Sequence, residues 1–304
     1  MALDADILLD RRRLKKSILR WRVLALLAVV VAIVVGLYQS GLLSSDSGPR
    51  IAEVTIEGVI TEDPWLLATL EEVEHDDDVV GLIVHVNSPG GTMVGGESLF
   101  EALRRIGETR PVVAEMGTVA ASGGYMAAIA ADHIVARRGT ITGSIGVIFQ
   151  SMNFTGTLEK LGIEPLTVKS GPLKAAPNPF EETSDEARDA MQGLIADMFD
   201  VFTGMVAERR NLDLAVVQRL ADGRVYTGQQ AVANGLIDEI GGRREALRWL
   251  HDEAGVAPDL DVVPLEINYP EDSLLDAFIS GSLGKILSSE GLKLDGLLTV
   301  WQPE

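Results

Sequence analysis

From Ile51 to Ile60 apolar and polar residues alternate (Ile-Ala-Glu-Val-Thr-Ile-Glu-Gly-Val-Ile), the period-two pattern of a half-buried strand. Pro64 opens a stretch of helical spacing that runs to about Glu74, and Val79 to Val86 is an apolar run suited to a buried strand. Asn87-Ser88-Pro89-Gly90-Gly91 should break the chain, and Met93 to Ile106 returns to helical periodicity. A further strand, Pro111 to Met116, feeds Gly117 and a run of small residues around Ser122, and an apolar helix is expected from Met126 to Ala131. Strand and helix thus alternate, which predicts an α/β layered core. His133 to Arg137 and Gly146 to Gln150 read as short strands, Asn153 to Leu161 as a helix and Glu164 to Val168 as a strand. Ser170 to Phe180 carries Pro172, Pro177 and Pro179 and should be irregular. Thr183-Ser184-Asp185-Glu186 then starts a long helix to Arg210, with acidic residues at its positive end. Gly228 to Ala233 and Arg243 to Glu253 read as shorter helices around Leu236 to Ile240. The tail from about Pro258 holds one more strand and an amphipathic stretch, Leu274 to Leu287.

The N-terminal pattern is of another kind. Residues 1–22 are basic (Arg11, Arg12, Arg13, Lys15, Lys16, Arg20, Arg22), and no charge occurs from Val23 to Ser45. At about 1.5 Å per residue this run could cross a bilayer core of about 30 Å. Trp21 and Tyr38 stand where interfacial aromatics belong, and the basic side should stay in the cytoplasm. No small-x-small cleavage site follows, so an uncleaved signal anchor is expected in preference to a removed signal peptide. The expected organisation is a basic tail (1–22), a transmembrane anchor (23–43), a linker (44–50), a catalytic domain (51–256) and a C-terminal extension (257–304). The anchor would be single-pass in the cytoplasmic membrane, with the domain on the extracytoplasmic side. A net charge of -19 argues against a nucleic-acid partner. The chain has no Cys, and its four His lack ligand spacing, so neither thiol catalysis nor a metal site is expected.

A strand that turns sharply into a helix can expose a serine hydroxyl, and the first amides of the helix have no internal acceptor. Ser122 has that setting, and its small neighbours leave room for a substrate carbonyl. An ordinary strand–turn–helix with a packing serine would look the same. The Gly90-Gly91 turn after a buried strand could present a second amide to an oxyanion. Ser144 is a weaker nucleophile candidate, because a strand and not a helix is expected after it. A serine also needs a base. His133 has no evident acidic orienter. Between linker and tail the only lysines are Lys160, Lys169 and Lys174. A lysine base must be neutral, which an apolar setting favours. Lys174, flanked by Leu173, Ala175 and Ala176, fits best, with a surface-loop lysine as the competing reading.

Six landmarks in order resemble the signal peptide peptidase A family of membrane-anchored serine proteases, the S49 peptidases. They are Val-Asn-Ser-Pro-Gly-Gly at 86–91, Ala-Ala-Ser-Gly-Gly-Tyr at 120–125, Thr-Gly-Ser-Ile-Gly-Val at 142–147, Lys-Ser-Gly-Pro-Leu-Lys at 169–174, Gly-Arg-Val-Tyr-Thr-Gly at 223–228 and Asn-Gly-Leu-Ile-Asp at 234–238. The resemblance implies Ser122 as nucleophile, Lys174 as general base and the amides of Gly91 and Gly123 as oxyanion donors. It implies the crotonase-like fold shared with the Clp protease, whose histidine has no counterpart between Ile141 and Gln150. It further implies apolar peptide substrates such as signal-peptide remnants, no cofactor, and a ring-like homo-oligomer in which the lysine can come from a neighbouring subunit. The length suits the short, single-domain form. Ala175 stands where an acidic residue is common, and His85 where Arg is frequent. The rival readings are an S49 protease acting on another membrane protein, a crotonase-like acyl-CoA enzyme, and an inactive membrane scaffold.

Overall fold

The computed structural model describes residues 20–33, 48–269 and the backbone of 298–300. The chain divides into two compact units, 1–48 and 49–304. In the first, residues 20–33 form a helix, α1, with every residue exposed. Among the described residues no helix is long and apolar enough to cross a membrane. The rest of the expected 23–43 span, and Leu274 to Leu287, lie outside the described residues.

The second unit is an α/β layer built on a mixed sheet of nine strands among the described residues. In chain order these are β1 (Arg50–Ile60), β2 (Val79–Thr92), β3 (Val112–Ala121), β4 (His133–Ala136), β5 (Ile141–Gly143), β6 (Val225–Thr227), β7 (Glu239–Ile240), β8 (Val262–Pro264) and β9 (Leu298–Val300). The main path runs β6-β5-β3-β2-β1-β8. β1, β2, β3 and β4 pair in parallel, joined by α2 (Pro64–His75), α3 (Met93–Gly107) and α4 (Gly123–Ile129). β3 forks: Val113 to Met116 pair with β4, whereas Val119 to Ala121 pair with β5.

Side chains alternate across this sheet as the period of two requires. Val54, Leu82, Val84, Ala114 and Met116 face a core closed by α2, α3 and α4, joined by Phe202 and Val206 of the long helix α6 (Asp185–Arg210). Ile51, Ile83, Val113 and Val135 face the other way, under Ala246 and Leu250 of α9 (Arg243–Asp252). The near-continuous apolar run of β2 is explained by burial on both faces.

Arg110, just before β3, closes one end of the sheet. Its guanidinium donates to the carbonyls of Val73, Glu74, Asp76 and Val79 at 2.6–3.0 Å. Arg110→Ala is therefore expected to lower stability by about 2–3 kcal/mol, read as a shift of the denaturant midpoint without a change in slope.

Several expected boundaries move. β2 does not stop at Asn87: it continues through the Gly-Gly pair to Thr92, with a register shift against β1 between Glu57 and Val59. Pairing on both sides, to β1 and to β9, outweighs the turn tendency of Pro89-Gly90-Gly91. β3 runs on to Ala121, and α4 begins at Gly123, three residues earlier than the apolar run suggested. The strand expected at Gly146–Gln150 falls instead at Ile141–Gly143, where β3 and β6 supply partners. Glu164–Val168 lies outside regular structure, and among the described residues no strand pairs with it. β6 and the helix α7 (Leu214–Leu220) were not expected.

Candidate active site

Ser122 stands between β3 and α4, and its conformation is unusual. Its φ of 55° and ψ of -120° lie where an L-residue is strained. The turn is held on both sides. The Ser122 N–H donates to Gly143 O at 2.8 Å, and Ser122 O accepts from Met126 N–H at 2.9 Å, the first turn of α4. Upstream, Thr140 Oγ1 donates to Gly117 O (2.8 Å) and Thr142 Oγ1 to Ala120 O (2.6 Å), which locks β5 to the end of β3. Asn87 Oδ1 accepts from the Thr118 and Val119 N–H groups at 3.2 and 3.3 Å, bridging the fork from the β2 side.

Beyond the serine, α4 is fully buried. Tyr125 OH donates to Leu236 O at 2.8 Å, and burial pushes its phenol well above the usual range. Arg210 in turn holds Asp238 and Gly235 O, and Asp238 accepts the Ile134 N–H. The Asn-Gly-Leu-Ile-Asp landmark therefore serves as the floor under α4. Gly123 and Gly124 precede the first intrahelical bond, so their amides have no intrahelical acceptor.

The Gly90-Gly91 end of β2 approaches the same turn. A Cβ on Gly124 would come within 2.7 Å of Ser88 O, so the start of α4 lies directly on β2. A Cβ on Gly91 would stand 1.7 Å from Ile60 O, so only glycine fits there. Beside it, Leu298 to Val300 add as an antiparallel strand, Gly91 opposite Thr299. Gly91 thus packs on Ile60, and the start of α4 packs on Ser88 of the same strand.

The possible bases are placed very differently. His133 opens β4 opposite Val113, so about nine strand residues, or roughly 30 Å, separate it from the serine end of β3. It stacks on Trp249 with ring centroids 5.0 Å apart and lies 3.5 Å from Glu239. His133 is a structural histidine. Lys169 donates to Glu181, and this hydrogen bond holds the Glu181 carboxyl below its usual range. Lys160 ends the exposed helix α5 (Thr155–Lys160). Lys174 is exposed in a tight loop where Ala175 has a φ of 57°. Among the described residues, none supplies the expected apolar surroundings. Ser144 is nearly buried just past β5, with its N–H on Arg224 O at 2.9 Å and a φ of 49°. It lies one residue beyond the Gly143 that holds Ser122. Among the described residues no cluster of His, Asp or Glu could hold a metal ion.

Sequence reading missed the two β2 side chains, Asn87 and Ser88, that tie the turn together. Their polarity at the end of an otherwise apolar buried strand was the available signal.

The family model for Peptidase family S49 matches residues 104–257. The chain is similar to a Synechocystis protein assigned as a protease, 39% identical over 69% of this chain and 76% of the relative. It is 36% identical to an Enterococcus faecium protein assigned as signal peptide peptidase SppA, over 81% of this chain and 74% of the relative. Protease 4 of Haemophilus influenzae is 32% identical over 76% of this chain but only 40% of its own length.

Proposed function

The chain belongs to peptidase family S49 and is a serine peptidase, and from that premise we propose that it is a membrane-anchored endopeptidase with a Ser122/Lys174 dyad. The observation that carries the dyad's serine is the strained Ser122 turn, set between the Gly90-Gly91 strand end and the first amides of α4. Neutral Lys174 takes the proton as Ser122 Oγ bonds to the peptide carbonyl carbon. The Gly91 and Gly123 amides hold the resulting oxyanion. Lys174 then gives its proton to the leaving amine as the C–N bond breaks, and water, activated by the same lysine, releases the acyl group.

Substrates are extended apolar peptides such as signal-peptide remnants, and the relative assigned as SppA points the same way. Strand addition of Leu298 to Val300 beside Gly91 supports an edge that takes an extended chain. The uncharged run after the basic tail is read as a single-pass anchor in the cytoplasmic membrane, with the catalytic unit on the extracytoplasmic side.

The active form is a ring-like homo-oligomer, in which a neighbouring copy covers the Lys174 arm. No residue between Ser151 and Ser184 is buried, and Leu166 and Val168 are 93% and 90% exposed. Apolar exposure on this scale marks an interaction surface.

The test is cleavage of a labelled apolar peptide by the detergent-solubilised full chain beside Ser122→Ala and Lys174→Ala. Each variant is expected to lose roughly 10⁴-fold in kcat while keeping its oligomeric state. Turnover that survives Lys174→Ala would transfer the base to another group.

A further inference from the structure

Ser88 is completely buried, yet its hydroxyl is fully engaged with backbone. Its Oγ donates to Gly58 O at 2.6 Å and accepts from the Gly90 N–H at 3.1 Å. Gly58 belongs to the irregular stretch of β1, where the ladder with β2 slips between Glu57 and Val59. A bulge of this kind leaves backbone groups outside the regular ladder, and a side chain can then take them up. One hydroxyl thus fastens β1 to the Gly90-Gly91 end of β2.

The opposite side of the same residue touches the nucleophile's helix. Position 124 has no room for a side chain because Ser88 O and Ser88 Cβ stand 2.7 and 3.2 Å from where its Cβ would be. Ser88 also pairs in register with Ala120, two residues before Ser122. It therefore touches Gly90, the neighbour of Gly91, and Gly124, the neighbour of Gly123.

We propose that Ser88 is a positioning residue, which sets the spacing between the Gly91 and Gly123 amides through its bonds to Gly58 and Gly90. This rests on the dyad and oxyanion reading given above. Donors aimed at a developing charge lose most of their effect when displaced by a fraction of an ångström, whereas ground-state peptide binding along a strand edge tolerates such a shift. Without the hydroxyl, Gly90 N–H and Gly58 C=O lose this partner in a buried place, and the loop must move to find others.

The experiment compares Ser88→Ala with the parent as full chain in detergent, with active sites titrated by a fluorophosphonate so that kcat refers to competent serines. Expected are a kcat lower by roughly 10- to 100-fold, a KM within about twofold, and a peptidyl boronate inhibition constant raised by the same factor as kcat/KM falls. The boronate reads the donors directly, because Ser122 Oγ adds to boron to give a tetrahedral anion. Ser88→Cys, which keeps a weak donor and acceptor in nearly the same volume, should fall between the two, and it carries the test if the alanine variant does not assemble. Parent-like kcat in Ser88→Ala, or a lowered kcat with unchanged boronate affinity, would overturn the proposal. A parent whose turnover is untouched by Ser122→Ala would instead overturn the reading beneath it.

Discussion

Replacing Ser122 by glycine is expected to abolish turnover and, at the same time, to yield a more stable protein than replacing it by alanine. At an ordinary position glycine is the weaker choice by about 0.5–1 kcal/mol, because the unfolded chain gains freedom. Ser122 is not ordinary. At a φ of 55° and ψ of -120° its Cβ is crowded against its own backbone, a cost of about 1–3 kcal/mol that glycine escapes and alanine keeps. The two terms oppose one another, and the steric term is the larger. Ser122→Gly should therefore exceed Ser122→Ala by about 1 kcal/mol in denaturant unfolding, with both variants losing roughly 10⁴-fold in kcat. The result to look for is the order of the two variants, since both lack the hydroxyl and differ only at Cβ. Alanine more stable than glycine by the full ~0.5–1 kcal/mol would mean that the turn carries no strain. The turn survives because five hydrogen bonds around it, donated by Thr140 Oγ1, Thr142 Oγ1 and the Ser122 N–H and by the Thr118 and Val119 N–H groups to Asn87 Oδ1, leave the chain no relaxed alternative.

That conformation could not be read from the chain, but its location could. Small residues after an apolar strand placed the serine turn correctly, and the alternation from Ile51 onward gave the α/β layer and both faces of β1. Failures came where partners far away in sequence decide the outcome. β2 runs through Pro89-Gly90-Gly91 because β1 lies beside it, and β5 forms at Ile141–Gly143 because the fork of β3 and the distant β6 meet there. Local propensity carries no information about either neighbour. Glu164–Val168 is the converse case: the pattern is strand-like, and among the described residues no strand pairs with it. Among the bases, the sequence left His133 and Lys169 open. The register of β4 removes the first to the far end of the sheet, and Glu181 engages the second. Membership of a serine peptidase family sets aside the acyl-CoA and inactive-scaffold readings.

Mixing two inactive variants should restore activity. Lys174 is exposed in its own chain, on an arm that buries none of its residues between Ser151 and Ser184. If that arm docks on a neighbour, a Lys174→Ala subunit supplies an intact Ser122 and a Ser122→Ala subunit supplies an intact Lys174. Each site in a head-to-tail ring draws its serine from one copy and its lysine from the next. When equal amounts are dissociated and reassembled at random, half of the serines and half of the facing lysines are intact, so about a quarter of the parent activity should return. Each variant reassembled alone should show none. A dyad within one chain gives no recovery at any mixing ratio, because every subunit then carries a broken site. Recovery near a quarter, peaking at equal ratio, therefore separates the two arrangements without any knowledge of the natural substrate. Charging the arm supplies the complementary test. Leu166→Asp together with Val168→Asp alters two side chains that are almost fully exposed, so the monomer should melt unchanged. The same pair would put carboxylates into the shared interface, which disfavours assembly strongly, and turnover should disappear together with the oligomer.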